Sequence, residues 1–420
     1  MSELKKYRFS DLYEMSSGIS TTKAQSGHGS PFLSFSSVFN NYFVPEKLND
    51  LMDTSEKEQE TYSIQNGDIF LTRTSEVIDE LGMSSVAIKD YPNATFSGFL
   101  KRLRPTKSKV TYPKYMAFYL RSQLFRKTMT NNAVMTLRAS LNEAIFSYFE
   151  LFLPEYDDQV KAGDLLFLMN QKIELNNRIN AELEAMAKTL YDYWFVQFDF
   201  PDANGKPYKT SGGKMVYNAE LKREIPEEWM VVKLKNIAKT GSGGTPLRVR
   251  TEYYDNGTIP WINSGEVNQS FIVSTENFIT ELGLKNSSAK IFDKNTILMA
   301  MYGATAGKVS FIDFEAATNQ AICAIIPFSS NCNIYIKFFL ERIYGYLNNL
   351  SSGSARDNLS QDKINELDII NPTDDVLKKF DDFTSPIMSK ILFNMKENQS
   401  LSIMRDWLLP MLMNGQVTVK

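Results

Sequence analysis

The stretch KIELNNRINAELEAMAKTLYDYWF, residues 172–195, decides how the rest of the chain is read, because it has a second copy. Moved by 218 positions it falls on KILFNMKENQSLSIMRDWLLPMLM, residues 390–413. Over the longer window of 161–195 against 379–413, nine positions are identical without a gap: Lys161/Lys379, Asp164/Asp382, Lys172/Lys390, Ile173/Ile391, Asn176/Asn394, Asn180/Asn398, Leu183/Leu401, Met186/Met404 and Leu190/Leu408. Composition alone would give roughly two. Just upstream the same shift pairs Arg138 with Arg356, Leu141 with Leu359, Pro154 with Pro372 and Asp157 with Asp375. Farther upstream the register drifts, with Tyr115 on Tyr335 and Ile69 on Ile297, as loop insertions in a diverged domain would produce. The chain reads as two copies of one unit.

Each unit has two parts. The first carries short β-type runs such as DIFLT, SSVAI, TILMAM, KVSFI and AICAII, separated by Gly, Asn and Pro turns. The second is helical: Leu175, Ile179, Leu183, Met186 and Leu190 recur at helical spacing, and no proline interrupts 161–195. That length allows a helix of about 50 Å. In the second copy Pro386 and Pro410 predict a shorter helix, bounded at about 387–409. The paired asparagines fit two readings, register-fixing contacts in an antiparallel coiled coil or a solvated face. The expected fold is α+β: two pseudo-repeated mixed α/β domains joined by two long antiparallel helices.

Composition narrows the function. At 420 residues the chain exceeds one ordinary core. No apolar run reaches the length of a membrane span, and the start MSELKKYRFSDLYE offers no export segment, so a cytoplasmic location is expected. Cys323 and Cys332 lack metal or disulfide spacing, and His28 is the single histidine, set in the turn-like SGHGSP. His-based triads and multi-His metal sites lack their parts. The net charge of −3 is concentrated in residues 151–228, where 9 Lys+Arg face 14 Asp+Glu. The two β-rich parts are near neutral, so a polyanion is not repelled, and partners would supply part of any phosphate neutralisation.

Two stretches suggest enzymes and fail on spacing. GATAGK, 303–308, resembles a phosphate loop, but Gly303 and Gly307 enclose three residues instead of four and Lys308 is followed by Val309. NPTD, 371–374, is similar to the N-P-P-[YF] motif of adenine methyltransferases, yet Thr373 and Asp374 replace its second proline and its aromatic. The chain is expected to be non-catalytic by itself.

The order of segments carries a resemblance. TGSGGTP (240–246), IPWINSGEV (259–267), YGATAGKVS (302–310), ATNQAICAI (317–325), SGSARDNLSQDKINELDI (352–369), the helix with its continuation to Pro201, and the final RDWLLPMLMNGQV (405–417) together resemble the specificity (S) subunits of type I restriction-modification systems. In the first copy GDIFLTRTSE (67–76) and GMSSVAIK (82–89) stand where the second has NTILMAMYGA and GKVSFI. The resemblance implies a first target-recognition domain over 1–157, a spacer helix over 158–197, a connector over 198–228, a second target-recognition domain over 229–374, and a second spacer helix with its tail over 375–420.

It further implies a bipartite, asymmetric double-stranded DNA target and docking of two methyltransferase (M) and two restriction/motor (R) subunits, with no membrane. S-adenosylmethionine, ATP and Mg would be used by those partners and no cofactor by this chain. The implied DNA-binding residues are Arg73, Thr74, Lys101, Arg102, Arg104 and Arg138 in the first copy. In the second they are Gly244, Thr245, Tyr302, Gly303, Thr305, Lys308, Asn319, Gln320 and Arg356. Asn319 and Gln320 carry the amide suited to adenine, and Lys308 the charge suited to phosphate. Helix pairing and subunit docking fall to Asn176, Asn180, Leu183, Leu190, Asn394, Asn398, Leu401 and Leu408. The alternative is a two-copy protein-binding scaffold that touches no nucleic acid.

Overall fold

The computed structural model describes residues 3–75, 81–131, 134–135, 139–140, 149–351 and 359–419. The chain divides into two compact units, Met1–Leu175 with Asn398–Lys420, and Asn176–Glu397. Arg138 and Arg356 lie outside the described residues.

In the first unit, four short runs form a four-stranded antiparallel sheet in the order Tyr13–Ser17, Leu100–Pro105, Ile69–Thr72, Ser84–Val86. A smaller sheet places Ser26–Leu33 between Asp50–Met52 and a parallel neighbour, Thr95–Phe96. Lys5–Arg8 pairs with Glu150–Leu153, bringing the two ends of the domain together. Arg121 braces the interior: its guanidinium donates to the carbonyls of Ser84 (2.7 Å), Val38 (2.8 Å), Phe39 (2.9 Å) and Asn41 (2.9 Å) and lies over the Tyr42 ring. Burial pulls its pKa down to about 10, and four carbonyl dipoles compensate the enclosed charge.

The second unit repeats this plan. Its main sheet runs Ala238–Ser242, Ile322–Pro327, Ile297–Ala300, Val309–Ile312, with Phe271–Ile272 added in parallel at the edge. Ile259–Ile262 pairs in parallel with Ala316–Thr318, and Met230–Lys233 pairs with Asp368–Asn371. The registers coincide: Ser17 faces Lys101 as Ser242 faces Cys323, Ile69 faces Leu103 as Ile297 faces Ile325, and Leu33 faces Phe96 as Ile262 faces Thr318. Ile69 and Ile297 are therefore equivalent, as the drifting alignment indicated.

The long helices span Tyr156–Tyr191, closed by a π-helical turn over Asp192–Val196, and Asp374–Met413. At 1.5 Å per residue they are about 54 and 60 Å long. The second does not stop at its prolines: Pro386 and Pro410 both lie inside it, which corrects the bounds of 387–409. An interior proline costs about 3 kcal/mol. Here the turns around Pro386 are held by tertiary packing, since Phe380, Thr384, Met388 and Ile391 are all buried.

Within the second unit the helices run in opposite directions. Asn394 Nδ2 donates to Asn180 Oδ1 at 2.8 Å and Asn176 Nδ2 to Glu397 Oε2 at 2.7 Å, so ascending numbers meet descending ones. Asn176, Asn180 and Asn394 are buried, which excludes the solvated reading for these three. Leu183 and Leu190 pack against the second unit's core. The seam is shifted from the expected stripe, because Leu175 and Met186 are exposed and Asn176, Asn180 and Ala187 take the inner face. In the first unit Leu166 shares a core with Leu409, Leu412 and Met413, and Leu408 packs beside them. Gly163 lets the first helix approach closely there, since a Cβ on it would lie 2.6 Å from the Tyr115 backbone nitrogen.

Candidate nucleic-acid interface

Four of the sequence segments that resemble the family meet at one end of the second domain's sheets. The turn after Ile297–Ala300 is folded on itself, with Ala306 N–H donating to Gly303 O (3.1 Å), Lys308 N–H to Thr305 O (2.9 Å) and Gly307 N–H to Ala300 O (2.8 Å). Gly303 and Gly307 sit at φ +82° and +80°, left-handed conformations that exact the glycines. Thr305 Oγ1 donates to Ser264 O at 2.7 Å, which ties GATAGK to PWINSGEV. The amide of Asn319 joins the same segment, donating to Asn263 Oδ1 at 3.3 Å and accepting from Ala321 N–H at 3.0 Å.

TGSGGTP closes the cluster. Gly244 N–H donates to Thr318 O and its carbonyl accepts from Trp261 Nε1, at 2.9 and 3.0 Å. Thr245 Oγ1 donates to Gln320 Oε1. A Cβ at Gly243 would lie 2.0 Å from Thr318 O and one at Gly244 2.6 Å from Ala289 N, so these loops touch backbone to backbone. Side chains left facing outward are Tyr302, Lys308 and Gln320, all exposed. The Nε2 group of Gln320 has no partner among the described residues, whereas the amide of Asn319 is engaged on both sides. Asn319 thus positions the cluster, and Gln320, exposed, uses only its Oε1 within it. A neighbouring cleft of about 740 Å³ is lined by Arg248, Trp261, Asn263 and Asn277. Trp261, on the strand Ile259–Ile262, and Asn263 and Ser264, at the start of the short turn that follows it, belong to the cluster although nothing in the sequence singles them out.

The first-copy residues fare differently. Lys101 and Arg102 are buried in the strand, at the places that Cys323 and Ala324 hold in the second sheet. Arg102 Nη1 donates to Ser63 O at 2.7 Å, and burial first, then the charge of Arg104, lowers its pKa. Arg104 is forked onto the fully buried Asp68, at 2.8 and 2.6 Å, and that hydrogen bond is the main reason its pKa rises. These two guanidiniums build the domain interior. Arg73 is half-buried beside the tip of the sheet, and Thr74 begins a short strand paired with Ala139–Ser140. The shared register assigns the first-copy counterparts of Thr245, Asn263, Asn319 and Gln320 instead to Ser20, Ser34, Ser97 and Gly98.

Among the described residues no group of three His, Cys, Asp or Glu side chains could hold a metal, and no helix is long and apolar enough to cross a membrane.

Comparison with known proteins bears on this arrangement. The "HindI" type I restriction enzyme specificity subunit of Haemophilus influenzae is 25% identical over 441 aligned positions, covering 92% of this chain and 94% of that protein. The "MjaIX" specificity subunit of Methanocaldococcus jannaschii is 26% identical over 340, covering 80% and 75%. The crystal structure of a type I restriction-modification S subunit from M. genitalium superposes with a TM-score of 0.63 over 98% of this chain and 96% of that one, at 14% identity, a likeness of fold. The sequence model of the family described as "Type I restriction modification DNA specificity domain" matches twice, over residues 1–185 and 226–401. Two matched copies, two loop clusters on one strand register and full-length similarity to such subunits converge: this chain belongs to the type I restriction-modification specificity-subunit family.

Proposed function

We propose that the chain reads a bipartite, asymmetric double-stranded DNA sequence, one half through residues 1–157 and the other through 229–374. The observation that carries this reading is the shared strand register under two loop clusters of unlike chemistry. A second domain offering Gln320, Tyr302 and Lys308 and a first domain offering serines and glycine at the matching places would select different bases. Lys308, on its exposed loop, neutralises a phosphate and positions the domain without specifying sequence.

The long helices set the spacing between the half-sites and receive two methyltransferase subunits, with two restriction/motor subunits joining that complex. Support comes from large apolar side chains left exposed on them: Phe383 and Phe393 in the second unit, and Leu168, Ile403 and Trp407 in the first, with Trp407 66% exposed. Such side chains are the usual anchors of a protein interface. The chain itself transfers no methyl group and hydrolyses no ATP. S-adenosylmethionine, ATP and Mg act in the partners, in the cytoplasm.

The test is an exchange of residues 229–372 for the matching segment of a relative, followed by methylome sequencing. One half-site should change while the other and the spacer length persist. A change in both halves, or a continuous palindrome, would refute the division of labour.

A further inference from the structure

Among the described residues of the first domain, Phe99 is the most exposed large apolar side chain. Phe99 is 61% exposed, between Phe96 and Leu100, which are fully buried. It stands on the turn joining Thr95–Phe96 to Leu100–Pro105, the turn that in the second domain carries Asn319, Gln320 and Ala321. By register Phe99 occupies the place of Ala321, one residue past the glycine that replaces Gln320.

This turn is held on every side. Leu100 N–H donates to Ser97 O (2.9 Å), Gly98 N–H to Ile19 O (2.8 Å) and Ser97 N–H to Leu33 O (3.0 Å), while the carbonyl of Phe99 accepts from Arg73 N–H (3.2 Å). The hydroxyl of Ser97 is taken by the N–H of Phe99 at 3.3 Å. Gly98 brings the turn against the loop at Ile19, where a Cβ would come 2.9 Å from the carbonyl oxygen. The tip therefore presents an aromatic ring on a fixed backbone, and neither amide nor charge on residues 97–99 for hydrogen-bonded readout. A ring with two rotatable bonds loses little conformational entropy when it is buried.

We propose that Phe99 reads a thymine in the first half-site by covering its 5-methyl group in the major groove. That methyl is the one apolar group displayed on a major-groove base edge, and phenylalanine is among the side chains that contact it. Arg73, whose backbone N–H is tied to the same turn, would supply the charge for the flanking phosphate. The inference rests on the DNA-reading function proposed above and adds to it a chemistry: apolar readout in the first domain, amide readout in the second.

The experiment uses the chain assembled with its methyltransferase partner and duplexes carrying its target. Each thymine of the first half-site is replaced in turn by deoxyuridine, which lacks only the methyl. One replacement should weaken binding by the unaltered complex about fourfold, the worth of one methyl-sized group withdrawn from water. Phe99→Ala should weaken binding of the thymine duplex roughly tenfold or more at an unchanged melting temperature, and should bind the thymine and deoxyuridine duplexes equally. Unchanged affinity of Phe99→Ala, a first half-site without thymine, or a deoxyuridine loss that persists in Phe99→Ala would overturn the inference. So would a Phe99-dependent bend in the DNA together with indifference to the methyl, the signature of a wedge between base pairs. If the unaltered complex shows no sequence preference at all, the DNA-reading function fails instead.

Discussion

The two recognition domains share their strand registers yet differ where the strands end. Behind the tips the two sheets keep the same strand register, down to a glycine at the same crossing: a Cβ on Gly18 would lie 2.5 Å from Phe96 O and one on Gly243 2.0 Å from the matching Thr318 O. At the tips, Thr245, Asn263 and Asn319 are knitted by side-chain hydrogen bonds in the second domain, whereas the matching places in the first are serines, and an exposed phenylalanine follows them. The shared part is fixed by backbone hydrogen bonds, which tolerate any side chain of suitable size. Readout can therefore diverge without refolding the domain.

A series of substitutions would break or sharpen that comparison. Leu183→Pro removes a helical hydrogen bond at a cost of about 3 kcal/mol or more. Although Leu183 belongs to the first copy's helix, it packs on the second unit's core. Hydrogen exchange should therefore rise in the second unit and stay low in the first, with weakened assembly onto the methyltransferase. Equal loss of protection in both would show that the division of the chain at residues 175 and 397 does not govern its stability.

Next come the paired glycines. Gly18→Ala and Gly243→Ala should each destabilise by about 1–3 kcal/mol, the range for forcing atoms into an occupied site, and each should blur one half-site only. Thermal melts with binding to half-site variants would check both; a variant that blurred both half-sites would contradict independent reading.

Asn394→Ala should cost about 1–3 kcal/mol, because the buried Asn180 loses its partner. Replacing Asn180 and Asn394 together by leucine should recover much of that loss while relaxing the register, seen as methylation at altered half-site spacings. Strict spacing in the double variant would remove the asparagines from the ruler.

The smallest effect belongs to Lys308→Ala, expected to weaken binding to all sequences alike and to reduce the salt slope by about one. A base-specific change would mean that Lys308 reads a base.

A pH effect separates structural from functional charge. Asp313 is nearly buried between Lys294 (2.9 Å) and Lys396. Burial alone would raise its pKa, but the two ammonium groups override it and hold the carboxyl below its usual range. A depressed pKa adds stability that is fully present above the unfolded value of about 3.9 and fades as pH falls through the folded value. The second unit should therefore lose stability below about pH 4, and Lys396→Met should flatten that part of the profile. An unchanged profile would assign the acid loss to other carboxylates.

Much of this was legible in the sequence because helices repeat locally: nine identities across a shift of 218 exposed the two-copy plan. Less legible was which side of a helix faces inward. The apolar stripe pointed to Leu175 and Met186, and burial went to Asn176, Asn180 and Ala187, because amides that find each other across a seam can be buried as readily as leucines. Proline rules, being local, ended the second helix too early at 387–409, where packing carries it through to Met413. At the tips, Arg102 and Arg104 suggested phosphate contacts by their charge alone. Only the pairing of distant strands reveals that they point at Ser63 and Asp68, and that the places matching Asn319 and Gln320 are Ser97 and Gly98.

Arg121 gives the first domain a particular mode of opening. Because one guanidinium holds carbonyls at Val38, Phe39, Asn41 and Ser84, the C-terminal end of the short helix Phe35–Asn40 and the strand edge at 84 cannot loosen separately; either all four bonds survive or the charge is stranded in an apolar interior. A lysine, a compact charge with three donors, cannot span the four acceptors. The segments behind the reading tip thus form one cooperative block, and variation that alters which bases are chosen is channelled outward, to the few residues beyond that clamp.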